Sequence, residues 1–302
     1  MLKHFGSKVR KFRESQQVTR EEFCGDESEL SVRQLARIEA GESVPNLSKA
    51  HYIARNLGVS LDSLTAGASL ELSKKYKELK YLILRTPTYN DTDRLDLIEK
   101  YLDEIYLNFY DDLPEDEKIA IESIQSSLDI YISKSHHFGD DLIREYMNQI
   151  KRKKIYSIND LLIIKLWQYK ITASRYDPNI FKIDTFIGTI DKLLNQVKVL
   201  SIENLFLLRD VLIYSLGILF ILAEYQQIEN IINTLNDILI KTQDFQKRPI
   251  IDMFEWKYQL FYKENREVAK RKYQESTLFA QLIGDQVLVT QLKEEWKADY
   301  IE

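Results

Sequence analysis

Apolar residues recur three and four positions apart along nearly the whole of this chain, the spacing that places them on one face of a helix. Phe5, Val9 and Phe12 predict a first helix with Lys3, Lys8, Arg10, Lys11 and Arg13 on its other sides. Thr19-Arg20-Glu21-Glu22 and Ser31-Val32-Arg33-Gln34 are capping boxes: hydroxyl and carboxylate or amide each satisfy free amide groups at a helix start. The first box opens a short helix ending by Gly25, the second a helix stopping at Gly41, with a polar connector, Asp26–Leu30, between them. Ile53, Ala54 and Leu57 share a face of the next helix, stopped at Gly58, and Val59, Leu61 and Leu64 start a last short one.

Beyond a stretch of small residues at Thr65–Ala68, amphipathic helices follow one another. Their expected spans are 70–84, 93–110, 114–133, 139–151, 157–172, 178–197, 201–225, 229–244, 249–263, 266–283 and 286–300. Nine Gly and five Pro leave long stretches without a helix breaker, so the fold class is all-α. The expected domains are a head over residues 1–66, a linker over 67–72 and a helical body over 73–302. Paired neighbours in the body give a period of roughly 35–45 residues, that of helical-hairpin solenoids. Trp256–Ala280 is the clearest unit and resembles a degenerate tetratricopeptide repeat, with Ala269, Tyr273 and Ala280 where paired helices pack.

Composition narrows function. A net charge of −5 argues against a protein that coats nucleic acid in general, yet leaves room for a local basic face. One cysteine, Cys24, excludes an internal disulfide and fits a reducing compartment. Met1–Arg13 is basic and amphipathic and lacks a signal-peptide core, and the apolar run Val211–Ala223 is too short to span a bilayer, so a cytoplasmic protein without membrane contact is expected. No phosphate loop, dinucleotide fingerprint or nucleophile motif occurs. His136-His137 lie in a polar loop without partners at metal spacing. No catalytic residue, metal ligand or cofactor is expected, and the chain does not read as an enzyme.

The Ser31–Gly41 helix has the equipment to enter a DNA major groove. Arg33 and Arg37 share a face one turn apart; arginine can bond guanine O6 and N7 together, and Gln34 can pair with adenine in the same way. Ser31 caps that helix, and Arg10, Arg13 and Lys49 are candidate phosphate contacts. In the body, Asn204 and Arg209 stand on an otherwise apolar helix, where they could bond a bound peptide or present a solvated helix start.

Residues 5–64 resemble the phage-repressor-type helix-turn-helix domains, through Thr19-x-x-Glu22, the Ser31–Arg37 helix, Ile38-Glu39-x-Gly41, Pro45, Ile53-Ala54-x-x-Leu57 and Val59-Ser60. The connector Asp26–Leu30 is longer than the tight turn usual there. Such a head on a degenerate repeat body is similar to the Rgg-like peptide-sensing regulators of Gram-positive bacteria, and among them to the ComR-like competence regulators. Arg20-Glu21, Leu30-x-Val32-Arg33-Gln34-Leu35, Arg37-Ile38-Glu39-x-Gly41-Glu42-Ser43, Tyr52-Ile53-Ala54-Arg55, Pro87-Thr88-Tyr89, Leu113-Pro114-Glu115 and Asn159-Asp160-Leu161 carry that resemblance.

The resemblance implies a transcription activator that takes a short, hydrophobic, tryptophan-containing signalling peptide re-imported by the cell. It implies a head held against the body until peptide binds, then a dimer on double-stranded promoter DNA and activation of an alternative sigma factor gene. It places an acidic residue, Glu115, against Arg33, with Arg37 and Asp116 beside them, and a peptide contact at Thr88. Where the family has Arg and Lys near that contact, this chain has Asn90 and Ile98; Arg94 and Arg209 are the substitutes expected to meet the peptide carboxylate. Control of bacteriocin or other genes, a constitutive repressor, and a repeat scaffold with a vestigial head remain as alternatives.

Overall fold

The computed structural model describes residues 4–66, 71–89 and 91–300, and among them every regular element is a helix. Asn90 and most of the expected linker lie outside the described residues. Contacts group the chain into two units: residues 1–86 with 94–167, and residues 87–93 with 168–302.

The first unit begins with α1 (Phe5–Ser15), α2 (Arg20–Cys24), α3 (Val32–Ala40), α4 (Leu47–Leu57) and α5 (Leu61–Thr65). Both capping boxes form. The Thr19 hydroxyl accepts from the Glu22 N–H at 3.1 Å, and the Glu22 carboxylate accepts from the Thr19 N–H at 2.8 Å. Ser31 and Gln34 exchange the same pair of bonds at 3.1 and 3.0 Å. Gly41 and Gly58 end α3 and α4 in the left-handed region, at φ 78° and 67°, where glycine alone carries no Cβ penalty. Phe5, Val9, Phe23, Cys24, Leu30, Leu35, Ile38, Ile53 and Leu57 close one core. The long connector is tolerated because it is anchored: Leu30 is buried in that core, and Glu27 accepts from the Val32 N–H at 3.1 Å. Cys24 is buried, and burial, followed by the charge of Glu27, pushes its thiol up to about 12, which leaves it an inert apolar filler.

The same unit continues with α6 (Lys74–Arg85), α7 (Thr92–Asn108), α8 (Glu115–Ser133), α9 (Asp140–Arg152) and the part of α10 (Ile158–Ala173) up to Trp167. Tyr76, Leu79, Ile83, Ile98, Leu102, Ile105, Leu113, Ile121 and Leu128 form the core shared by α6, α7 and α8.

The second unit holds the rest of α10 with α11 (Ile183–Gln196), α12 (Leu205–Ile221), α13 (Ile228–Thr242), α14 (Arg248–Phe261), α15 (Arg266–Leu282) and α16 (Gln286–Asp299). Several expected boundaries shift, those of α11 and α12 among them. Residues 177–181 make a hydrogen-bonded turn instead of starting α11, and α12 stops at Ile221. The stretch Ile202–Ile221 corrects the expectation that no apolar run is long enough to cross a membrane; by length and composition it is, and 61% of that window is buried inside the protein as a core helix. The expected repeat unit forms, with Trp256 edge-on to Tyr273 and Ala269 and Ala280 fully buried.

Candidate DNA-reading face and its clasp

Two of the side chains expected to read DNA, Arg33 and Arg37, meet acids of α8 and α9, all within the first unit. Arg37 donates through Nη2 to Glu115 Oε1, to Glu145 Oε1 at 2.9 Å and to the Tyr146 hydroxyl at 3.2 Å. Arg33 reaches Glu145 Oε2 at 3.2 Å with its side chain 68% exposed. Lys49 Nζ is 2.8 Å from Asp116 Oδ1. The Glu115 N–H donates to the Val44 carbonyl at 3.0 Å, so the first turn of α8 meets head backbone as well as side chains. From α9, Gln149 donates to the Ser28 carbonyl at 3.2 Å and Arg152 to the Asp26 carbonyl at 3.3 Å, holding the connector that precedes α3. These contacts form a clasp over Arg37 on α3 and Lys49 at the start of α4, and leave Arg33 largely exposed.

This arrangement corrects one pairing. Glu115 was expected on Arg33, and it meets Arg37 instead. Arg33 lies a turn nearer the start of α3 and extends only to Glu145. The two pairs also differ in weight. An ion pair as exposed as Arg33–Glu145 contributes between nothing and ~1 kcal/mol. Arg37, with 27% of its side chain exposed and three partners, has the charge-assisted bonds that hold best. Burial alone would weaken its charge, but Glu115, Tyr146 and Glu145 outweigh that and push its pKa above the usual guanidinium value. Burial, then the charges of Glu115 and Glu145, pushes the Tyr146 hydroxyl well above the usual phenol range, so it stays a donor to Glu115.

Gln34 is 2% exposed and its amide oxygen is committed to the Ser31 cap. Two-pronged pairing with adenine is therefore closed to it while the cap stands, and only its Nε2 is uncommitted. Beside it runs a cleft of about 360 Å³, lined by Gln34, Lys49, Tyr52, Asp116, Gln149 and Asn159 among others. Arg10 is exposed and, among the described residues, pairs with its helix neighbour Glu14, so it remains open to phosphate. Arg13, expected to do the same, is corrected: it is buried and forked onto Glu39 at 2.6 and 3.1 Å, and it donates to the Val18 carbonyl. Arg20 completes the pair on Glu39 at 2.8 Å, and the two guanidinium groups overcome burial to hold that carboxyl below its usual range. Arg13 therefore holds the head together and is not presented to phosphate.

The expected peptide residues stand on different elements. Thr88 is half-buried in the segment 87–93, where its carbonyl accepts from the Asp91 N–H at 2.8 Å. Arg94 is in the first turn of α7, and Asn204 ends a short turn before α12. Thr88 and Asn204 are not joined by a hydrogen bond or an ion pair. Arg209 is corrected: with 2% of its side chain exposed, it is neutralised by Asp244 at 2.8 Å and Asp210 at 3.2 Å, so its charge is matched inside the fold and is not held out for a peptide carboxylate.

Residues 73–296 match the ComR tetratricopeptide family. The chain belongs to the ComR family. ComR from Streptococcus suis is 41% identical over 98% of this chain and 95% of its own, with a TM-score of 0.81. Ligand-free ComR from Streptococcus thermophilus is 28% identical over 99% of this chain and all of its own, at 0.83. The same regulator in complex with DNA and its signalling peptide ComS is similar at 0.68, with 29% identity over 98% of this chain and 99% of its own. A search of curated proteins finds no match. ComR-family membership makes this chain a competence transcription regulator. Glu145, Tyr146, Gln149 and Arg152 are the functional candidates that sequence reasoning missed. Their only local signal is an amphipathic helix with acidic residues in its first turn, and many solvated helices share it.

Proposed function

We propose that the chain is a cytoplasmic, non-enzymatic, peptide-activated regulator of competence genes, silent in the clasped state described above. Residues 1–66 are its DNA-binding head, 67–72 its linker and 73–302 its peptide-binding and dimerising body. Released from the clasp, Arg33 and Arg37 read base edges from the start of α3, with Ser31 capping and the Gln34 Nε2 beside them. Lys49 and Arg10 meet phosphates. A short hydrophobic, tryptophan-containing peptide near Thr88 and Asn204 triggers release, and two copies then bind a two-fold promoter site.

One observation supports this reading above others: Arg37 and Lys49, the cations best placed for DNA, are occupied by Glu115, Glu145 and Asp116. The ligand-free relative also resembles this chain more than its complex with DNA and peptide does. Band-shift measurements on a promoter duplex, with and without peptide, test it. The parent should need peptide, and Glu115→Ala should bind DNA at lower peptide concentration. Peptide-independent binding by the parent would make it a constitutive repressor, and no binding would make it a scaffold.

A further inference from the structure

Glu117 follows directly on the clasp acids Glu115 and Asp116, yet its carboxylate bonds none of the described residues of the head. Its Oε2 accepts from the Tyr76 hydroxyl and from Lys80 Nζ, each at 2.6 Å, and both donors stand on α6. Tyr76 is fully buried, and the Lys80 and Glu117 side chains are 14% and 13% exposed, so little water competes for these bonds. Burial, reinforced by the Glu117 charge, keeps the Tyr76 hydroxyl protonated as a donor. The first turn of α8 is therefore fastened on one side to the head and on the other to α6.

The opposite end of α6 runs into the peptide segment. The helix ends at Arg85 and Thr88 follows in the segment 87–93. That segment is itself held in the second unit. Gln291 of α16 donates to the Tyr89 carbonyl, and Lys247 lies 4.4 Å from the centre of the Tyr89 ring. Tyr89 has φ 44°, a left-handed conformation that a non-glycine residue keeps only where its surroundings enforce it.

We propose that α6 is the rod that carries peptide occupancy to the clasp, with Tyr76, Lys80 and Glu117 as the joint at its far end. Peptide bound at Thr88 re-seats residues 87–89 and displaces α6. Through Glu117, α6 draws the first turn of α8 away from Arg37 and Lys49. Glu117 is a positioning residue: it acts through Glu115 and Asp116 and needs no contact with DNA or peptide. Because the clasp bonds themselves are untouched, cutting the joint leaves the head closed.

This inference rests on the proposed function, and one pair of titrations on full-length protein separates the two. Labelled-peptide anisotropy reads peptide affinity, and band shift on a promoter duplex reads release. Glu117→Gln should bind peptide within about twofold of the parent. Its DNA affinity at saturating peptide should stay at least 10-fold weaker than the parent's. The charge swap Lys80→Glu with Glu117→Lys should restore release, an outcome a merely structural role would not give. A parent without peptide response overturns the proposed function and the rod with it. A responsive parent with an equally responsive Glu117→Gln overturns the rod alone, as does a Glu117→Gln that binds DNA fully without peptide. Parallel loss of peptide binding, unrescued by the swap, overturns it too.

Discussion

Glu145→Ala is the sharpest probe of the clasp, because one carboxylate there holds both reading arginines. It accepts from Arg37 at 2.9 Å and pairs with Arg33 at 3.2 Å. A hydrogen bond to a charged group contributes roughly 1.5–3 kcal/mol. The Arg37 bond belongs at the lower end of that range, since Glu115 remains to satisfy the guanidinium. The exposed Arg33 pair adds ~0.5 kcal/mol, the middle of its range. The closed state should thus lose ~2 kcal/mol, about 30-fold in the closed-to-open ratio. Only the open fraction binds DNA, so the apparent Kd for a promoter duplex without peptide should tighten by up to about that factor. With saturating peptide the clasp is already open and the two proteins should agree. The assay is fluorescence anisotropy on a labelled duplex at fixed ionic strength, since salt alone moves such affinities. A peptide-free affinity within twofold of the parent, in a protein with an unchanged melting curve, would refute the reasoning. So would an equal gain with and without peptide, because lost negative charge in general would then explain it.

Other consequences are as direct. Lys49→Ala should weaken DNA binding at saturating peptide on every sequence alike and lower the salt slope by about one, read from a salt titration. Gly6→Ala should destabilise the head by ~3 kcal/mol or more, read from thermal denaturation, because an added Cβ would fall 1.7 Å from the Ile38 carbonyl oxygen, a backbone atom that cannot step aside. Asp252 lies buried between Arg248 and Lys272, and burial outweighs both cations to raise its pKa to about 6. A carboxyl raised in the folded state favours folding below its unfolded pKa, near 4, and that contribution is lost as pH rises through about 6. Denaturant unfolding should therefore show the parent gaining stability relative to Asp252→Asn between pH 7 and pH 4, by roughly 3 kcal/mol at most. A pH-independent difference would refute this.

The local structure was legible because local physics decides it. Helical spacing of apolar residues placed the elements of both units within a few positions, and Thr19, Ser31, Gly41 and Gly58 marked ends that hydrogen bonding and backbone freedom enforce. The basic face of α3 was legible on the same grounds, since a helix projects residues four apart to one side. Which charges meet was not legible. The carboxylates on Arg37 lie 78 and 108 positions away in the chain, and several acids compete for the same cation in sequence. Arg10 and Arg13 are alike as text, yet Glu39, brought in by α3 packing over Gly6, buries one and leaves the other in water. Arg209 was lost to the same blindness, since Asp244 neutralises it from 35 positions away. The sequence by itself thus determined helices, caps and the cationic reading surface, each set by neighbours within a turn or two. Only the tertiary structure decided that Arg37 and Lys49 on this surface are covered, and by which acids, because an ion pair depends on distance and desolvation across elements that no spacing rule connects.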